Sequence, residues 1–149
     1  MIDEVREFLG LFEGEPQNSP QRLHALAKAL DRLASAYHST NPVSDFGHYS
    51  VDTNSNYEVA RTVVIKYFPD FGFYPTISPL SDIPSLPTVA DAIDDLVDIR
   101  AEMLEARRLW EGGFTSEAEA HFRAGYEFHW GVHHLHQLRR YVSAKLFDY

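Results

Sequence analysis

Residues 129 to 136 read HWGVHHLH, four histidines within eight positions. His129 and His133 are four residues apart, a spacing that places two imidazoles on one face of a helix. Imidazole nitrogens spaced in this way can bind a single Zn²⁺, Mn²⁺ or Fe²⁺ ion. The segment therefore predicts either a metal site or a helix face whose histidines only pack and form hydrogen bonds.

An acidic row with the same helical spacing lies upstream of these histidines. Its members are Asp91, Asp95, Asp98 and Glu102. Antiparallel packing of two helices through the short turn at 112–114 would set this row against the histidine row. The candidate metal site consists of Asp95, Asp98, His129 and His133, with a divalent metal ion as the candidate cofactor.

The two rows also have a meaning that requires no ion. Carboxylates can hold histidines by charge-assisted hydrogen bonds that fix the tautomer of each ring and the register of the helices. This structural Asp/His network is the favoured interpretation, because a His-x-x-x-His pattern often arises by chance on an amphipathic helix. It suits a protein-interaction or oligomerising module that buries its helix edges against a partner or a second copy. A metal-binding helical bundle is the alternative.

A small-molecule pocket is a third alternative. Residues 69–87 contain five of the eight prolines together with three aromatic residues. Proline at this density predicts a loop without regular elements, which its aromatic side chains would pin across the helices. Tyr74, Trp130 and Asp94 would then border the pocket. Gly131 costs about 1 kcal/mol inside a helix relative to alanine, which indicates a close helix crossing or a ligand there.

Apolar periodicity places these residues on about five helices of one all-α bundle. The predicted helices run from Ile2 to Phe12, from Asn18 or Ser19 to Tyr37, from Tyr57 to Phe68, from Thr88 to Trp110, and unbroken from Thr115 or Ser116 to the C-terminus. The segment TVVIKYF at 62–68 is rich in β-branched residues but has no visible partner strand, so helix is predicted. In the last helix, Phe128, Val132 and Leu135 begin the predicted buried face.

Composition limits the classes of function. The chain is one domain long, residues 1–149, and it carries 13 basic against 22 acidic residues, a net charge of −9. That charge opposes binding to nucleic acid. The absence of cysteine and of an export signal or apolar span predicts a cytoplasmic protein without a membrane partner. Phosphate-binding glycine loops and the GxSxG elbow are missing, so the sequence names no reaction and no catalytic residue.

Two motifs together resemble a known family. DAIDDLVDI at 91–99 is followed by FHWGVHHLHQLR at 128–139. This pair resembles a bacterial family of helical proteins catalogued as domain of unknown function 5063, over roughly residues 73–142. That family pairs a DDLxDI helix with a final helix carrying HWGxH, preceded by a loop like GFYPTISPL. It has no agreed activity, so the resemblance implies an all-helical fold and a set of motif positions.

The resemblance assigns those positions residue by residue. They are Asp94, Asp95, Asp98, His129, Trp130, Gly131 and His133, with Tyr74 and Pro79 in the loop. This chain departs from the family at Arg100, where the family tends to have an aromatic residue. The outer edge of a shared pocket would therefore differ here.

Overall fold

The structure is a computed structural model that describes residues 1–16, 18–42, 56–78, 80 and 86–147. This part of the chain is mostly helical. Its elements are α1 (Ile2–Gly10), α2 (Ser19–Ser39), α3 (Tyr57–Tyr67), β1 (Phe73–Thr76), β2 (Thr88–Asp91), α4 (Ala92–Glu111), α5 (Thr115–Phe128), a π-helix (Trp130–Leu135) and α6 (His136–Phe147). The predicted predominance of helix is confirmed. The described residues contain six α-helices where about five were predicted, and a small sheet in addition.

The early helices begin where their capping residues predict. The Asn18 side chain accepts a hydrogen bond from the Gln21 amide at 3.2 Å, with proline in the first turn of α2. Asn56 caps α3 in the same way, through the Val59 amide at 3.3 Å. The β-branched segment at 62–68 is therefore helical, as predicted, and its last residue, Phe68, is the C-cap.

The proline-rich segment contains a strand that was predicted to be loop. β1 pairs antiparallel with β2, and Tyr74 lies opposite Ala90. The predicted absence of regular structure is wrong here because Pro75 lies in a two-stranded sheet, where each strand has one unpaired edge that needs no amide donor. Residues 88–91 belong to β2, so α4 begins at Ala92 rather than at Thr88.

α4 is the central helix of the described chain. It packs against α1, α3, α5, the π-helix and α6. Its buried apolar face consists of Ala92, Ile93, Leu96, Val97, Ile99, Met103 and Ala106. Two acidic residues of the same helix, Asp95 and Glu102, are also buried, with 5% and 3% of their surface exposed. Buried carboxylates need hydrogen-bonding partners, and the final helices provide them.

The predicted single C-terminal helix is interrupted. At His129 the backbone leaves the helical region (φ −142°, ψ −94°), and the chain continues as the π-helix before α6 begins. Phe128, the last residue of α5, and Val132, in the π-helix, are exposed rather than buried. The extra residue in the π-helical turn means that the two predicted faces are not continuous across the break. Leu135 is buried as predicted.

Two glycines allow the interrupted helix to pack. A side chain at Gly131 would overlap the carbonyl oxygen and ring of Tyr126. One at Gly125 would overlap the ring of Trp130, which is fully buried. The prediction for Gly131 was a close helix crossing or a ligand, whereas the close contact in the structure is with Tyr126 in the preceding turn.

None of the helices in the described ranges combines the length and apolar composition that crossing a bilayer requires.

Candidate metal centre

Three side chains from α4 and the C-terminal segment converge on one point. Asp98, His129 and His134 each offer a ligand atom, and these atoms lie within 4.8 Å of one another. His134 Nε2 is 3.4 Å from Asp98 Oδ2. All three side chains are partly exposed, Asp98 the most at 37%. Two imidazoles and one carboxylate are donors suited to Zn²⁺, Mn²⁺ or Fe²⁺.

His129 is held from behind by a buried carboxylate. Its Nδ1 lies 2.7 Å from Oε1 of Glu102. A proton on Nδ1 donated to this carboxylate leaves Nε2 with a free lone pair. The hydrogen bond to Glu102 raises the pKa of His129 above its usual value, against the opposing effect of burial.

His134 is held in the same way. Its Nδ1 lies 2.8 Å from Oδ1 of Asp95, which also leaves Nε2 as the nitrogen that faces Asp98. Histidines that bind metals in proteins almost always donate their other N–H to a carboxylate, a carbonyl or water. Both histidines of this cluster have that arrangement.

Each of these two carboxylates has a further partner. The Tyr74 hydroxyl donates to Asp95 Oδ2 at 2.5 Å, and His121 Nε2 lies 2.7 Å from Glu102 Oε2. Burial and the hydrogen bond to Asp95 raise the pKa of Tyr74, so the phenol stays protonated and remains a donor. Two series of contacts therefore reach the imidazoles. One runs from Tyr74, in the hairpin of β1 and β2, through Asp95 to His134. The other runs from His121 on α5 through Glu102 to His129.

The carboxylates of the cluster have imidazoles as their ion-pair partners. Within the described part of the chain, the ion pairs of Asp95 and Asp98 are made with His134. Burial raises the pKa of Asp98, and the two neighbouring histidines oppose that shift. By contrast, Asp94 on the outer side of α4 pairs with Arg61 at 2.6 Å. Where the imidazoles are neutral, the carboxylates therefore leave a negative charge that a cation would offset.

Of the four predicted ligands, two lie in the cluster, one lies behind it and one lies outside it. Asp98 and His129 belong to the cluster, whereas Asp95 lies behind it as the partner of His134. His133 is exposed and lies outside the cluster, and the structure brings His134 rather than His133 together with Asp98 and His129. His129 lies at the backbone break that precedes the π-helix carrying His134, so the four-residue spacing of a regular α-helix does not decide which imidazole is its neighbour.

The remaining predicted residues have separate roles. Asp94 pairs with Arg61 and accepts a hydrogen bond from Tyr57. Trp130 packs between Phe122 and Tyr126 at ring-centre distances of 5.0 and 5.1 Å, so its contacts are those of a core residue. Gly131 is required for packing, and Pro79 lies outside the described residues.

Sequence reasoning missed two further residues, Glu102 and His121. Glu102 was recognised as part of the acidic row but not as the partner of His129, because that pairing depends on the backbone break at His129. His121 lies eight residues earlier on α5 and shares no spacing pattern with the other histidines. No local signal identifies either role.

Comparisons of the chain with protein-family models, with curated proteins and with solved structures gave no match. We therefore base the proposed function on the geometry of the described residues.

Proposed function

We propose that this protein binds one divalent transition-metal ion through Asp98, His129 and His134. The observation that carries the proposal is the orientation of the two imidazoles. Each uses Nδ1 for a buried carboxylate. Nε2 of His134 then lies 3.4 Å from Asp98, and His129 offers a ligand atom within 4.8 Å of the ligand atoms of both. This is how proteins orient histidine ligands and fix their tautomers before the ion arrives.

A metal-free Asp/His network explains less of this geometry. Hydrogen bonds from Nδ1 to Asp95 and Glu102 would already fix the helix register. They do not account for a third carboxylate, Asp98, which lies 3.4 Å from Nε2 of His134 and within reach of a ligand atom of His129. The charge also supports an ion, because three neighbouring carboxylates face neutral or singly charged imidazoles.

Three protein ligands leave coordination positions open to water or a substrate. Such open sites are typical of catalytic rather than structural ions. A bound ion of this kind polarises an oxygen of a substrate or lowers the pKa of a bound water. The partial exposure of all three side chains gives a ligand access to that position.

The test is a metal titration of the metal-free, untagged protein with Zn²⁺, Mn²⁺ and Fe²⁺ by calorimetry, with elemental analysis of the product. We expect one ion per chain for the wild type and a loss of affinity of about 100-fold or more in His134→Ala. His133→Ala is the matched control, since it removes an exposed neighbouring imidazole. Absence of binding by the wild type, or equal losses in the two variants, would contradict the proposal.

A second candidate function is protein interaction, and the hairpin supports it. Phe73 and Val89 lie on its outer face and are 76% and 75% exposed, while Leu80 and Leu86 nearby are more than 89% exposed. Apolar patches of this kind on small proteins often mark binding surfaces. We propose a protein partner or a second copy as the occupant. Sedimentation velocity of the wild type and of Phe73→Ser with Val89→Ser tests the second copy, and a monomer in both would exclude it.

We further propose that the chain belongs to the bacterial family catalogued as domain of unknown function 5063, that its helices form a bundle, and that it acts in the cytoplasm without binding nucleic acid. The paired motifs support the family, the absence of cysteine suits a reducing compartment, and the net charge of −9 opposes a phosphate backbone. Expression from a genomic tag, followed by fractionation, would test the location.

A further inference from the structure

We infer that Tyr74 is a positioning residue of this centre: it orients Asp95 and thereby fixes the tautomer of His134 that presents Nε2. The expected effect of Tyr74 on metal affinity rests on the proposed metal function. The structural part of the inference, the tautomer of His134, is measurable without any metal.

The contacts form a chain of three side chains. The Tyr74 hydroxyl donates to Asp95 Oδ2 at 2.5 Å, and His134 Nδ1 lies 2.8 Å from Asp95 Oδ1. Each carboxylate oxygen therefore has one partner. With Oδ2 occupied, the carboxylate cannot rotate without losing a buried hydrogen bond, and Oδ1 stays aligned with the histidine ring.

Tyr74 itself has little freedom. Its ring stacks on Tyr141 of α6, with ring centres 4.8 Å apart, and only 8% of the residue is exposed. The strand that carries it is closed at its base by the Ala92 amide, which donates to the Gly72 carbonyl at 3.1 Å. The hydroxyl is thus held at a fixed place relative to the first turn of α4.

Packing alone does not require this hydroxyl. A phenylalanine would provide the same ring stack, and burying a hydroxyl costs free energy unless it is hydrogen-bonded. What the hydroxyl adds is a donor for Asp95, which lies directly behind a candidate ligand. Outer partners of metal-bound histidines are known to change metal affinity by about 10- to 100-fold.

The test compares Tyr74→Phe with Tyr141→Phe. The two tyrosines belong to the same stack, but the Tyr141 hydroxyl makes no hydrogen bond within the described part of the chain. Two properties are measured: Zn²⁺ affinity by competition with a chromophoric chelator, and the tautomer of His134 from ¹⁵N chemical shifts of the metal-free protein. Thermal unfolding of each variant separates these effects from loss of stability.

We expect Tyr74→Phe to weaken Zn²⁺ binding about tenfold and to mix the two tautomers of His134, with Tyr141→Phe like the wild type in both. An unchanged His134 tautomer in Tyr74→Phe would overturn the inference whatever the Zn²⁺ affinity. If the wild type binds no Zn²⁺, the metal function fails, while a tautomer change confined to Tyr74→Phe still supports the positioning role. Should Tyr74→Phe not fold, the wild-type spectrum decides, since a proton on His134 Nε2 rather than Nδ1 contradicts the inference.

Discussion

At the scale of single residues, the feature with most consequence is the buried carboxylate behind each candidate ligand. Glu102 is 3% exposed and lies 2.7 Å from both His121 and His129. A buried carboxylate of this kind makes the attached imidazole a stronger ligand and fixes which nitrogen is available.

The first prediction concerns Glu102→Gln. The amide keeps the size of the side chain but removes the charge and exchanges one acceptor for a donor, so we expect Zn²⁺ affinity to fall by about 10- to 100-fold. Calorimetric titration measures this. Glu105→Gln is the control, because Glu105 lies on the same helix and pairs with Arg108 on the outside. Equal affinities in the two variants would argue against a role for Glu102.

The second prediction concerns pH. The pKa of His129 is raised by Glu102 and that of Asp98 by burial, so both groups hold protons to higher pH than usual. Metal must displace these protons, so affinity should fall as pH is lowered from about 7.5 to about 5.5, with proton release on binding. The stability of the metal-free protein depends on pH in the opposite direction. The contribution of the His129–Glu102 pair is present at low pH and is lost as pH rises through the raised pKa of His129.

Calorimetry in buffers of different ionisation enthalpy counts the released protons, and chemical unfolding of the metal-free protein gives its stability across the same range. His129→Asn is the reference for both measurements. A Zn²⁺ affinity that is constant over this pH range would show that His129 is not a ligand.

At the scale of elements, the π-helix decides which histidine reaches the cluster. Positions 133 and 134 are both histidine. A regular α-helix would bring His133 next to His129, whereas the interrupted helix brings His134 there. Sequence periodicity assumes the regular α-helix and therefore selects His133. The break at His129 and the close packing at Gly131 impose the interrupted helix, and they depend on the contact with Tyr126 that only the folded chain reveals.

The third prediction is that Gly131→Ala destabilises the protein by about 1–3 kcal/mol, because the new methyl group overlaps the Tyr126 carbonyl and ring. Zn²⁺ binding should weaken as well, since the π-helix must shift to accommodate it. Thermal and chemical unfolding give the stability. Gly10→Ala, at the end of α1, meets no atom within 4 Å and should change stability little. Wild-type stability in Gly131→Ala would mean that the turn adapts without cost.

The elements differ in how well their residues predict them. Helix α2 follows from its predicted cap and apolar spacing, and α3 was predicted within one residue of its observed bounds. Of the acidic row predicted on α4, Asp91 lies in β2, and Asp95, Asp98 and Glu102 lie on the helix. β1 was missed because proline density outweighed the strand tendency of FYPT, whose partner lies beyond a connection of more than ten residues. The sequence brought Asp98 and His129 together as candidate ligands, and the structure also places them in one cluster. The place of His134 in that cluster depends on a helix break for which the sequence has no distinct signal.

At the scale of the whole molecule, the cluster joins segments that are far apart in the chain. Asp98 is contributed by the central helix, and both histidines come from the C-terminal segment. An ion held between them binds only the folded state. The proposed metal binding would therefore be coupled to the stability of the whole structure.

The fourth prediction follows from that coupling. Zn²⁺ at about 100 times its dissociation constant should stabilise the wild type by about 2.7 kcal/mol, visible as a higher midpoint of thermal unfolding. The double variant His129→Ala with His134→Ala should show no such shift, and the pair His133→Ala with His136→Ala, on the exposed side, should behave like the wild type. A similar shift in all three proteins would assign the stabilisation to non-specific binding.

The closed base of the hairpin has a practical consequence for handling the protein. The hairpin of β1 and β2 joins the rest of the chain at one end, where the Ala92 amide donates to the Gly72 carbonyl. At its other end Thr76 lies opposite Thr88. An affinity tag or a fluorophore inserted next to Leu86, which is 90% exposed, would extend from that far end. The protein could then be attached to a surface through this connection, with α4 and the C-terminal segment left unmodified.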